Sequence, residues 1–241
     1  ALAAVAAADW AAARDGIAAA LEANRRSGYA AHEVWMLAHL GWVARLQGLH
    51  EEAAEHGRRA VALGDRAGHR WWRPSARAFL AGTLVECGSG EEAVGLLAEV
   101  VADVRHEGAE AQLLRCLAPL AEATGDGDVL AEADALLRRV DTPPGGAWLT
   151  GMDAYTAVAR AWTARGEPGR AREVLRPLLE AATRTGWLPA LAAGALEDGR
   201  AAARLGAADE ARAVLGRARD LAERYGMRTI AREAADALVV P

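Results

Sequence analysis

Glycine recurs in this chain at a spacing of about 40 residues, in two interleaved series: Gly48, Gly88, Gly125, Gly166 and Gly206, and Gly28, Gly68, Gly108, Gly146, Gly186 and Gly226. Between successive glycines, small and apolar residues return in steps of three and four, the periodicity of one helical face. The stretch 34–68 shows the unit. Leu37, Leu40, Gly41 and Ala44 mark a first amphipathic helix, Ala53, Gly57, Ala60 and Leu63 a second, and Gly48-Leu49 the break between them. A glycine at each helix stop suits a chain that must take a positive φ after the last turn, where a Cβ would clash. A unit that returns with this period stacks on its own copies and does not enclose one large core.

Seven residues before each break stands Gly41, Ala81, Ala118, Ala159 or Gly199, so this position is where two helices must touch closely. The second helices carry Ala53, Ala93, Ala133, Ala171 and Ala211, then Gly57, Leu97, Leu137, Leu175 and Leu215, then Ala60, Val100, Val140, Leu178 and Ala218. These residues resemble the tetratricopeptide pattern, with first-helix matches at Leu37-Leu40-Gly41, Leu114-Leu117-Ala118 and Tyr155-Val158-Ala159 and breaks at Arg77 and Asp198. The resemblance implies an all-α, right-handed α-solenoid, here with a period near 40 and helices about a turn longer than in the common 34-residue form. The expected organisation is one array over residues 1–241: a partial hairpin 1–28, copies one to five at 29–68, 69–108, 109–146, 147–186 and 187–226, and a final helix 227–240. The first hairpin lacks its beginning, so the chain reads as a piece of a longer protein.

Composition supports the same class. Only two isoleucines and one phenylalanine occur, without β-branched alternation, and no strand is expected. All 28 basic residues are arginine, and the net charge is -5 with both signs interspersed, which leaves no basic face for nucleic acid. No apolar run reaches the roughly 18 residues that span a bilayer, so a soluble, cytoplasmic piece is expected. Cys87 and Cys116 lack CxxC spacing and read as small core residues.

The closing residues, 208–238, resemble the last repeats of large ATP-dependent bacterial transcription regulators of the LuxR type and their signal-transducing NTPase relatives. That resemblance implies a helical sensor region, with ATP binding and DNA binding elsewhere in the intact protein.

No motif carries catalysis. His50-Glu51-Glu52-Ala53-Ala54 has alanine where HExxH needs its second histidine, and reads as a solvated helix start. Gly88-Ser89-Gly90 follows a helix and not a strand, Asp126-Gly127-Asp128 lacks later calcium ligands, and a phosphate-binding loop would need a lysine that does not occur. Neither catalytic nor metal residues are assigned, and no cofactor is expected in this piece. What remains is the concave side, which the first helices of a tetratricopeptide array line. The slots that face it give Trp35, Trp42, Gln112, Arg115, Asp153, Arg160 and Arg200 as ligand- or partner-binding candidates: aromatic anchors beside fixed polar groups. The expected function is non-catalytic recognition of a small-molecule effector, or of a peptide or protein, in that trough, as the sensor and scaffold of a regulator. A stand-alone adaptor is the alternative. No direct nucleic-acid contact and no membrane partner are expected, and self-association is open.

Overall fold

The computed structural model describes residues 1–28, 30–140 and 148–239, and every regular element among them is a helix. α1 (Leu2–Ala6) and α2 (Trp10–Ser27) precede the pairs α3 (Ala30–Leu46) with α4 (His50–Ala67) and α5 (Trp72–Glu86) with α6 (Gly90–His106). Then come α7 (Glu110–Thr124) with α8 (Gly127–Arg139), α9 (Trp148–Ala164) with α10 (Pro168–Thr185), α11 (Leu188–Arg204) with α12 (Ala208–Arg224), and α13 (Arg228–Val239).

Each described glycine of the two series takes a positive φ, between 60° and 82°. Gly146, the run Asp141–Ala147 and the Trp148 side chain lie outside the described residues. Two helix starts use aspartate side-chain caps. Asp9 accepts from the Ala12 amide, and Asp126 from the amides of Asp128 and Val129, so Asp126-Gly127-Asp128 is a helix cap.

The odd-numbered helices α3 to α13 contact one another in succession and form an inner layer, and the even-numbered helices pack outside them. The two layers meet at the small residues. A Cβ added at Gly41 would lie 2.9 Å from the Ala53 carbonyl oxygen, and one at Gly199 would lie 2.7 Å from the Leu215 side chain. Ala81, Ala118 and Ala159 fill the same position fully buried, as do Leu97, Leu175 and Leu178 on the outer helices. Each such leucine is worth about 1.5–3 kcal/mol of burial.

The two departures from the apolar pattern are paired. Arg77, buried, donates to Asp65 of α4 at 2.5 Å and to Glu99 of α6 at 2.6 Å. Asp198 accepts from Arg172 of α10 at 2.8 Å, and Arg172 also holds Glu210 of α12. Both therefore tie neighbouring hairpins at the outer surface. Cys116 is buried, but Cys87 is exposed, because it sits at the C-cap of α5 on the rim of the stack.

An open trough was expected; the array instead closes on itself. α13 stacks on α11 and α12, and α1 touches α11. The Trp10 indole Nε1 donates to the Tyr225 carbonyl at 2.6 Å, and His50 Nε2 lies 2.9 Å from Thr229 Oγ1. His50 thus leaves the solvated face proposed for it and bonds to the last helix. No helix among the described residues is long and apolar enough to cross a membrane.

Gly41→Ala should lower stability by about 1–3 kcal/mol, since the obstructing atom is backbone. Gly95→Ala, on the exposed side of α6 with nothing within 4 Å of the added carbon, should raise it by about 0.5–1 kcal/mol. Urea denaturation of the two variants beside the parent protein checks both signs.

Candidate functional site: the interior of the array

The inner helices bring one polar side chain after another into a narrow central space. At one rim stands an aromatic group. Trp72 meets Trp35 edge-on with centroids 6.1 Å apart, and Trp71 and His69 at 6.5 Å and 6.1 Å, with Trp71 42% exposed. From that rim a hydrogen-bonded strip runs inward. Gln112 Nε2 donates to the Trp71 carbonyl at 2.5 Å and to Ser75 Oγ at 2.8 Å, and Arg115 Nη1 donates to the same hydroxyl at 3.1 Å. Arg115 also stands over the Phe79 ring, 5.8 Å from its centroid.

Below the strip the interior is ionic. Arg45 of α3 reaches across to Asp153 of α9 at 2.5 Å, with Glu86 of α5 3.8 Å from its Nε. Arg160 of α9 grips Glu122 of α7 with both arms, at 2.6 Å and 2.9 Å, and holds Glu197 of α11 at 3.3 Å. Glu197 is shared with Arg200 at 3.1 Å, and Arg200 goes on to Glu233 of α13 at 2.8 Å. Alternating charges thus link copies three, four and five to the last helix. The paired forks of Arg160 and Glu122 are the strongest geometry such a link can take. Gly82 belongs to the same device: a Cβ there would collide with the Arg45 guanidinium.

Burial and charge set the protonation of the group. Desolvation pushes the Glu86 carboxyl up to about 7, because Arg45 and Arg160 only partly offset it and Asp153 and Glu122 add to it. Glu197 is raised for the same leading reason. Burial works against the charge on Arg45 and Arg160, yet the facing carboxylates outweigh it and hold both firmly protonated. In the neighbouring core, burial presses His39 down to about 4, and its Nδ1 donates to the Trp35 carbonyl at 2.8 Å.

Two spaces remain. A pocket of about 30 Å3, the size of a water molecule, lies between Arg45, Phe79, Glu86 and Arg115. A cavity of about 260 Å3 lies beside it, between Arg45, Glu86, Glu122, Asp153, Arg160, Glu197 and Glu233.

The structure brings Arg115, Asp153, Arg160 and Arg200 to the interior and Trp35 to its rim, whereas Gln112, 1% exposed, is held beneath them by Trp71 and Ser75. Trp42 is corrected: it is 1% exposed and packs on Phe79 and His39, centroids 6.1 Å and 6.0 Å away, where burying a large ring outweighs facing water. The arginines do not wait free for a partner: carboxylates of this chain engage Arg160 and Arg200, while Ser75 and the Phe79 ring hold Arg115. Glu86 and Glu233 were missed, although they occupy concave slots that applying the same register to the end of α5 and to the last helix would have found. Glu197 sits off that register, and no sequence signal marked it.

The stacked pairs define a tetratricopeptide-like α-solenoid. Among solved structures the chain is similar to BtubC (BKLC) from P. vanneervenii, at 15% identity over 89% of this chain and 91% of that one, TM-score 0.55. It is similar also to a Rap protein complexed with competence and sporulation factor, at 12% identity over 95% of this chain and 69% of that one, TM-score 0.55. No protein-family model matches the chain, and no curated protein matches it in sequence.

Arg160→Ala should cost about 3–5 kcal/mol, because it strands Glu122 and leaves Glu197 with Arg200 alone, whereas Arg58→Ala, from the exposed pair with Glu92, should cost under about 1 kcal/mol. Chemical denaturation separates the two. Because the Glu86 pKa is raised on folding, its contribution is full below about 4.5 and is lost as pH rises through about 7. Glu86→Gln, which stays neutral, should therefore match the parent melting temperature in acid and exceed it at pH 8.

Proposed function

We propose that this chain is a recognition module that binds a peptide, a protein segment or a small effector through its interior and the aromatic rim beside it. The observation that carries the reading is the continuous strip from Trp71 and Trp35 through Gln112, Ser75 and Arg115 to Arg45 and Asp153. Aromatic surface, fixed donors and a water-sized pocket there follow one another, and that pocket shares Arg45 and Asp153 with the larger space. Rigid aromatics next to oriented polar groups are the usual makings of a binding surface. A fold shared with a Rap protein complexed with competence and sporulation factor supports occupancy of such an array by a ligand.

The reading is non-catalytic. Ser75 is held by Trp71 and Gln112, and among the described residues no general base bonds to it. An adaptor joining two proteins fits the geometry without further parts. The wider setting, the sensor of an ATP-dependent bacterial regulator of the LuxR type, rests on the resemblance of the closing repeats alone. In that setting, a ligand that favours the open or the closed array would pass its differential affinity to a neighbouring module.

A displayed random-peptide library panned against the protein tests the reading. Selected peptides should bind Trp35→Ala and Asp153→Asn at least tenfold more weakly while both variants keep the parent helicity by circular dichroism. Equal binding to parent and variants would place recognition outside the interior.

A further inference from the structure

We infer that the 260 Å3 cavity binds a small cation joined to a hydrogen-bond acceptor, an ammonium or guanidinium carried on the same molecule as a carbonyl, with Glu86 as charge partner and Arg45 as donor. This deepens the recognition reading, on which it rests, by giving the chemistry of what enters.

Charge balance points to the cation. Glu86, Glu122, Asp153, Glu197 and Glu233 line the cavity, against the guanidiniums of Arg45 and Arg160 in its wall and Arg200 behind it. Counting Arg115, one layer away, still leaves the carboxylates in excess by one. The excess falls on Glu86. Glu122, Asp153, Glu197 and Glu233 each meet a guanidinium nitrogen at 3.3 Å or less. Glu86 makes no hydrogen bond among the described residues; its nearest cation is Arg45 Nε at 3.8 Å, and 26% of its side-chain surface stays accessible. Its carboxyl, raised by desolvation, shows how incompletely the protein compensates it.

A second observation points to the acceptor. The Arg45 side chain is only 6% exposed, and its Nε has no hydrogen-bond partner, while Nη2 is spent on Asp153. A buried donor left unmade is costly, and a bound oxygen would recover that cost. That oxygen must be neutral, since an anion would face five carboxylates. Gly82 keeps the guanidinium seated beside the opening. Size and walls agree with a side-chain-sized group. The volume equals the liquid share of roughly nine waters, and Leu46, Val85, Leu196 and Ile230 offer apolar contact for a methylene stem.

Aminohexanamide, a terminal ammonium and a terminal carboxamide on one chain, is the probe, titrated into the intact protein by calorimetry at millimolar concentration. Hexanamide lacks the ammonium and diaminohexane lacks the carbonyl. Aminohexanamide should bind, hexanamide should not, and diaminohexane should bind more weakly. Glu86→Gln should weaken aminohexanamide binding at least tenfold, and Glu180→Gln, on the outer surface, should leave it unchanged. Equal binding of aminohexanamide and hexanamide, no binding of either, or full affinity in Glu86→Gln would each overturn the proposal. If those failures come while selected peptides still need Trp35 and Asp153, the cation site falls and the recognition reading stands.

Discussion

Everything in this structure depends on how closely two helix backbones can approach. At Gly41 and Gly199 the gap will not admit one extra carbon, and at Ala81, Ala118 and Ala159 one methyl fills it. That spacing seats each outer helix tightly on the inner helix of its own hairpin. The stack built from such pairs closes on itself, and its polar contents follow from the closure.

Once the array shuts, the groups inside it face a different electrostatic problem from those on an open groove. Charges on an open concave face would be solvated and screened. Here they are partly desolvated, so each must find an opposite charge or give up its own. Arginine answers the first need, because its planar fork can hold two carboxylates at once, as Arg160 and Arg200 both do. Glu86 shows the second, with a carboxyl poised near neutrality. Such a lattice of ion pairs adds little net stability over an apolar filling, yet removing one member is costly. Its effect is to fix which inner helix faces which.

Much of this was legible in the residues because repeat folds write their rules at every copy. The glycine series marked where helices stop, and each described member has the left-handed backbone those stops require. The small positions marked the close contacts. Side-chain direction within the concave slots was legible too, for polar residues: Asp153, Arg160 and Arg200 point where their register says. Trp42 did not, because a large ring chooses burial over register when Phe79 and His39 offer a surface. The ion pairs were not legible as pairs, since Arg45 and Asp153 belong to different copies and meet only through the curvature of the whole stack. Local periodicity fixes a helix face, but partners across a closed interior depend on accumulated rotation, which no single repeat encodes.

The contact between Trp10 and Tyr225, with that between His50 and Thr229, changes what kind of object the array is. Solenoids ordinarily behave as one-dimensional chains, in which terminal units fray first and melting spreads inward. These contacts tie α2 and α4 to the last described helices. The units then hold or lose their order together, and the sequence-distant closing contacts make folding wait on the slowest encounter.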